Sequence, residues 1–327
     1  MAGLIESMFA RQLEERKQRL QEAATRASDP RQIHDLLDDV DRALAKISSG
    51  NYGLCESCHE PIEPDRLALD PMTRYCVDHL TENEQHALER DIELARQMQN
   101  RLLPARDLIL PGWTSHFHYE PSGQVSGDYC DIIAGDNPAE SFYFIVGDVT
   151  GKGIAASLLM SQLHAMFRTL AGSDFSLSEL MERINRLFCE ASLSTHFATL
   201  VCGLAHKTGE IEFSNAGHCL PFIIRERGIE RLSTSGLPLG FACDAHYHTE
   251  KKALLSGDTL FLYTDGLTES AAHSGELYGE NRLLDLLKGA SSVSPKELLE
   301  SCLHDLTRFS GRGRRSDDLT LMVLRKE

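Results

Sequence analysis

Asp148 ends the apolar run Phe142–Val146 after a single glycine, and Asp265 follows Thr259–Tyr263. Asp128 precedes the run Tyr129–Ala134, while Asp317 and Asp318 precede Leu319–Leu324. Runs of this length and composition read as buried strands. In antiparallel sheets the end of one strand lies beside the start of its neighbour. Aspartates that follow strands and aspartates that precede them can therefore meet on one rim. Carboxylates crowded together cannot all stay ionised without compensating cations. Hard oxygen donors without histidines select magnesium or manganese rather than zinc. Taken singly, each aspartate is as well explained as a turn residue, since Asp-Gly and Gly-Asp are common in loops. The segment Gly147-Asp-Val-Thr-Gly-Lys-Gly153 is not a phosphate-cradling P-loop: three residues separate its first two glycines and a glycine follows the lysine. Lys152 reads either as a phosphate contact or as an exposed lysine at a helix start.

A second donor set lies upstream. Cys55-x-x-Cys58 and Cys76-x-x-His79 are separated by seventeen residues. Two close pairs of soft ligands across such a loop are what a tetrahedral structural zinc requires, and the metal replaces a core that so short a segment cannot build. Three thiol ligands also make redox sensing physically possible, because oxidation would eject the metal.

The elements that must position these residues follow from periodicity. Residues 4–25 and 32–47 read as two helices forming a hairpin, broken at 27–30, where Ser28 or Asp29 can cap and Pro30 suits a first turn. Residues 81–103 form a third helix ended by Pro104, with Leu88, Ile92, Ala95, Gln99 and Leu102 on one face. That narrow stripe either packs on a domain or pairs with its copy in a homodimer. Beyond Trp113 strands come in groups and helices in pairs, at 154–170, 177–192, 281–287 and 295–307. Without regular βαβ alternation, this predicts an α+β layered architecture of antiparallel sheets flanked by helices.

Composition bounds the function. The net charge of −16 argues against general nucleic-acid binding and against an anionic membrane surface. No apolar run approaches the length of a membrane span, and the first twenty residues carry charges throughout, so a cytoplasmic protein is expected. Cys130, Cys189, Cys202, Cys219, Cys243 and Cys302 are scattered in apolar or helical segments and read as free thiols.

The motifs Ser126-Gly-Asp-Tyr-Cys-Asp131, Gly147-Asp-Val-Thr-Gly-Lys-Gly153, Phe197-Ala-Thr-Leu200, Asn215-Ala-Gly-His218, Gly236-Leu-Pro-Leu-Gly240, Tyr263-Thr-Asp-Gly-Leu-Thr-Glu269 and Asp317-Asp-Leu-Thr-Leu321 resemble, in order, the PPM/PP2C-type serine/threonine phosphatases. The SpoIIE/RsbU subgroup is the nearest, over residues 95–326. The resemblance implies a layered α/β/β/α domain over 105–327. It also implies a water activated by two Mn²⁺ or Mg²⁺ ions, and a phosphoserine or phosphothreonine protein as substrate. It places the shared metal-bridging aspartate on Asp148, with the Val149 carbonyl beside it, and further ligands on Asp265 and Asp317. Asp128 matches an acidic residue that holds one metal, often through water. Of Asp317 and Asp318, successive residues pointing oppositely, one is expected to coordinate. Asp148, Asp265 and Asp317 are the expected catalytic set. His218 is either a general acid or a turn residue. The subgroup further implies a STAS-domain anti-anti-sigma factor as substrate.

Residues 1–80 resemble the TraR/DksA zinc-finger family through Tyr52-Gly53, the four ligands, Ile62, Arg66-Leu67 and Pro71, with His79 where a fourth cysteine is usual. That family inserts an acidic hairpin tip into RNA polymerase, but residues 27–31 offer no acidic pair. The expected organisation is a helical hairpin with zinc finger (1–80), a helical linker (81–104) and the phosphatase-like domain, the finger region regulating the rest. The alternative is a non-catalytic scaffold acting through the finger on the transcription machinery.

Overall fold

The computed structural model describes residues 2–25, 31–79, 82–192, 195–233, 236–290, 292–311 and 315–327. The chain divides into two compact units, Met1–Asp91 and Ile92–Glu327.

In the first unit, α1 (Ala2–Ala24) and α2 (Arg31–Ser48) pack through Leu13, Val40 and Ala43. The break and capping residues expected at 27–30, and most of the tip, lie outside the described residues. A knuckle follows, in which the Cys55 amide donates to Glu60 and the His59 amide to Cys55. Helix α3 (Pro64–Leu69), started by its proline, and a single 3₁₀ turn (Val77–His79) complete it. Its interior is small, only Cys55, Ile62, Leu67 and Cys76 being fully enclosed.

Helix α4 (Glu82–Asn100) crosses the boundary between the units. In the second unit its stripe does not stay free: Gln99 is buried, and Leu102 packs against the core beneath α5 (Gly153–Leu170) and α6 (Leu177–Ala191). Leu94 and Met98 are the exposed apolar residues of this stretch.

The second unit is two antiparallel sheets. One runs in the order β1 (Asp107–Leu110), β2 (Trp113–Glu120), β11 (Leu319–Lys326), β10 (Thr259–Tyr263), β7 (Phe222–Arg225), β8 (Gly228–Arg231). The other runs β3 (Asp128–Ala134), β4 (Ser141–Val149), β5 (Ala198–His206), β6 (Glu210–Ala216), β9 (Glu250–Ala253). Trp113, Phe117, Phe142, Phe144, Val146, Leu260, Leu262 and Met322 fill the space between the sheets. Helices α5 and α6 cover the β3–β9 sheet. Helices α8 (Gly279–Leu287) and α9 (Pro295–Ser310) cover the other. The layers are thus α/β/β/α. Strands β1, β8 and β9, four residues each, escape prediction because they are edge strands with no fully buried position. No helix among the described residues is long and apolar enough to cross a membrane.

Cys189 and Cys243 correct one expectation. They are not free thiols but a disulfide with Cα atoms 5.8 Å apart. Their separation of 54 residues hides a spatial pairing, made because Asn185 of α6 accepts from the Gly240 amide and donates to the Ala242 carbonyl. Cys130, Cys202, Cys219 and Cys302 are free as expected.

Candidate metal centres

Asp128 and Asp148 are directly opposite each other across β3 and β4. Asp265 opens the short helix α7 (Asp265–Thr268) at the end of β10, and Asp317-Asp318 leads into β11, the hydrogen-bonded neighbour of β10. Two sheets thus deliver their aspartates to one rim. Burial pushes the Asp148 carboxyl up to about 7, and the charges of Asp265, Asp317 and Asp318 push the same way. Asp265 is raised by burial, Glu269 and Asp317, and Asp128 by burial and Asp148.

Two glycines allow the close approach. A Cβ on Gly266 would lie 1.8 Å from the Asp318 carbonyl oxygen, so only glycine lets the β10 end pass that close to residues 317–318. A Cβ on Gly127 would come within 2.9 Å of the Val149 carbonyl oxygen and 3.4 Å of Asp148 Oδ1. Glycine there keeps both donor atoms unobstructed.

The five aspartates have different surroundings. Asp128 is almost wholly buried, and its Oδ2 accepts from the hydroxyls of Thr264 (2.9 Å) and Thr320. Asp318 is also buried: Oδ1 accepts from the Ser122 amide at 2.7 Å and Oδ2 from the Gly127 amide at 2.9 Å. Its carboxylate ties down the loop before β3. Asp317 remains partly exposed, accepts from the Asp318 amide through Oδ1, and has the Lys152 ammonium 3.1 Å from Oδ2.

Sequence reasoning missed several supports. Thr264 and Thr320 were legible only as parts of motifs. The Gln99 side chain donates to the Ser126 carbonyl (2.7 Å) and accepts from its amide (3.0 Å), fixing the approach to Asp128. Asp131, in the same motif as Asp128, receives two hydrogen bonds from Arg168 and pins α5 to β3. His218 is 5% exposed, and its Nδ1 lies 2.9 Å from Thr199 Oγ1. Thr199 is the β5 partner of Asp148. Burial takes the imidazole down to about 4, so it is neutral and enclosed rather than presented to a substrate.

The four donors expected to bind zinc come together. One donor atom from each of Cys55, Cys58, Cys76 and His79 lies within 4.8 Å of the others. Among the described residues no other set of three or more such donors closes to that distance, so the aspartates are spaced more widely. Burial acts to raise the Cys55 thiol, but backbone hydrogen bonds from Cys76, Cys58 and Ser57 outweigh it and bring the group to about 6. Burial and the neighbouring Cys55 and Cys58 push Cys76 the other way, up to about 11, and a preformed tetrad of three thiols and an imidazole suits zinc. The oxygen-only rim, partly buried and with its charges raising Asp148 and Asp265, suits hard divalent ions.

The chain matches the family described as stage II sporulation protein E (SpoIIE) over residues 138–327. It matches the prokaryotic dksA/traR C4-type zinc finger over residues 50–78, a span that stops short of His79. It is 25% identical to Protein IcfG of Synechocystis sp. over 264 residues, covering 72% of this chain and 41% of that protein. It is 27% identical to phosphoserine phosphatase RsbU of Bacillus subtilis over 250 residues, covering 74% of this chain and 72% of that protein. The crystal structure of the RsbU and RsbW domains of Rv1364c from Mycobacterium tuberculosis superposes with a TM-score of 0.57 at 27% identity, covering 67% of this chain and 61% of that one.

Proposed function

Because the chain belongs to the SpoIIE family of PP2C-type phosphatases, with a dksA/traR-type zinc finger ahead of that domain, we propose that it is a metal-dependent protein serine/threonine phosphatase. The substrate class we assign is a phosphorylated STAS-domain anti-anti-sigma factor in a partner-switching pathway, with the finger region regulating the phosphatase. The relatives named phosphoserine phosphatase RsbU and RsbP, both of Bacillus subtilis, support the class.

The observation that carries this reading is the delivery of Asp148, Asp265 and Asp317 from two sheets to one rim, where the charges of Asp265 and Asp317 act on the buried Asp148. These three side chains and the Val149 carbonyl would hold Mn²⁺ or Mg²⁺. Ions bound there supply Lewis acidity for hydrolysis of a phosphate monoester. Asp128, held by two threonine hydroxyls, backs Asp148 and resists its movement. Asp318 spends both oxygens on backbone amides and serves the loop rather than the ions. Two free thiols neighbour the rim aspartates, Cys130 and the half-buried Cys219, and desolvation raises both, Cys219 up to about 12, which disfavours either as a thiolate nucleophile. His218 keeps the ends of β5 and β6 together and donates no proton to a leaving group. Cys55, Cys58, Cys76 and His79 would hold one structural zinc. The exposed pair Leu94 and Met98, one helical turn apart, supports a homodimer through α4.

The test is phosphate release from a phosphoserine-bearing STAS protein, with manganese and after chelation. Manganese-dependent release, lost in Asp148→Asn, is expected. Absence of release from every phosphorylated STAS protein of the host would overturn the substrate assignment.

A further inference from the structure

Lys152 lies in the turn between β4 and α5, four residues beyond Asp148, and reaches across to the lead-in of β11. Its ammonium is 3.1 Å from Asp317 Oδ2 and donates to the Ser316 carbonyl at 2.6 Å. Among the described residues it is the one lysine or arginine that forms an ion pair with Asp148, Asp265 or Asp317. The turn that carries it is shaped for the reach: Gly151 and Gly153 on either side have φ of 97° and 73°, values that other residues rarely adopt. A cation therefore already sits against one carboxylate of the proposed metal rim, Asp317, supplied by the chain itself.

We propose that Lys152 is a tethered counter-ion of the metal-free rim, occupying Asp317 until a divalent ion displaces it. The inference rests on the metal-site reading above. Asp317 cannot serve the ammonium and a divalent ion equally, because two cations at one carboxylate repel each other. Ion uptake then carries the cost of expelling Lys152, and the lysine sets the ion concentration at which the enzyme loads. The pair is half-exposed, with the lysine side chain 57% and the aspartate 36% accessible, so the latch is weak enough to be opened by an ion at ordinary concentrations.

The experiment is calorimetric titration of the metal-free full chain with Mn²⁺, comparing wild type with Lys152→Gln, Lys152→Ala and Lys152→Arg. The neutral variants are expected to bind manganese about three- to tenfold more tightly, with Lys152→Arg close to wild type. Melting temperatures give the second readout. Metal-free Lys152→Gln should melt below metal-free wild type, and the manganese-loaded forms should coincide. Unchanged or weaker binding in the neutral variants overturns the counter-ion role while leaving the metal site intact. A melting difference that persists after loading also overturns it, because the contact would then survive ion binding. Wild type that takes up no manganese overturns this inference together with the reading beneath it.

Discussion

Asp128 on β3 and Asp148 on β4 are register partners, so the strand pairing itself holds their carboxyls together: the Asp148 charge raises Asp128, while a hydrogen bond with Asp128 acts to lower Asp148. Neither can retreat without breaking the ladder: the flanking pairs Tyr129–Gly147 and Cys130–Val146 continue the same register. Held there among the other rim carboxylates, Asp148 gives the metal-free protein a definite pH response.

Asp148 is raised to about 7, by burial first and then by Asp265, Asp317 and Asp318. A carboxyl with a raised pKa binds its proton more tightly in the folded chain than in the unfolded one. Its contribution is therefore fully present below about pH 4 and lost as pH rises toward 7. Asp148→Asn removes the charge and keeps the volume. Metal-free Asp148→Asn should melt roughly 3–6 °C above metal-free wild type at pH 7.5 and lose that advantage near pH 4. Melting curves across that range after chelation check this, and a variant less stable at pH 7.5 would refute it.

Asp317 and Asp318 are adjacent but should separate in experiment. Asp318→Ala strands the Ser122 and Gly127 amides and should cost about 2–4 kcal/mol of unfolding free energy. Asp317→Ala gives up a half-exposed ion pair and the hydrogen bond from the Asp318 amide, about 1–2 kcal/mol together, yet should lose manganese affinity at least tenfold. Urea unfolding and manganese titration of both variants distinguish them.

His218 should leave no mark on the pH dependence of catalysis near neutrality. Its imidazole is held down to about 4 by burial, so it is already neutral across that range. In the His218→Asn variant kcat should fall through a loosened β5–β6 junction, while the limbs of the kcat/KM profile stay within about 0.3 pH units of wild type. Disappearance of a limb would make His218 an acid–base group after all.

The finger should hold one zinc per chain. Cys58→Ser should lose it and expose the amides of residues 50–79 to hydrogen exchange, since the enclosed interior there is four residues. His79→Cys should keep the ion, because either side chain completes a tetrahedral set. Metal analysis with exchange mass spectrometry tests both.

Much of this arrangement can be read from the chain alone, and the failures have causes. The central strands announce themselves because both faces are buried, as in Ser141–Val149, and their end-of-run aspartates follow directly. The clustering of Cys55, Cys58, Cys76 and His79 is legible because the spacing of the two pairs already suggests it. What is not legible depends on contacts between distant segments. Gln99 reads as one polar residue on a helical stripe until its amide is seen bracing Ser126. Thr264 and Thr320 gain their role only when β10 and β11 pair and bring both hydroxyls to Asp128. Asp317 and Asp318 cannot be ranked without knowing that the 122–127 loop returns to Asp318. Cys189 and Cys243 read as free because nothing local marks the return of residue 243 to α6.

The central claim is that Asp148, Asp265 and Asp317, distant in the chain, form one site for hard divalent ions. Anomalous diffraction from crystals grown with manganese addresses it most directly. The account predicts manganese peaks bounded by these three carboxylates and the Val149 carbonyl, and their loss in Asp265→Asn. Manganese bound elsewhere, or no peak on this rim in crystals of an enzyme that is active under the same conditions, would contradict it.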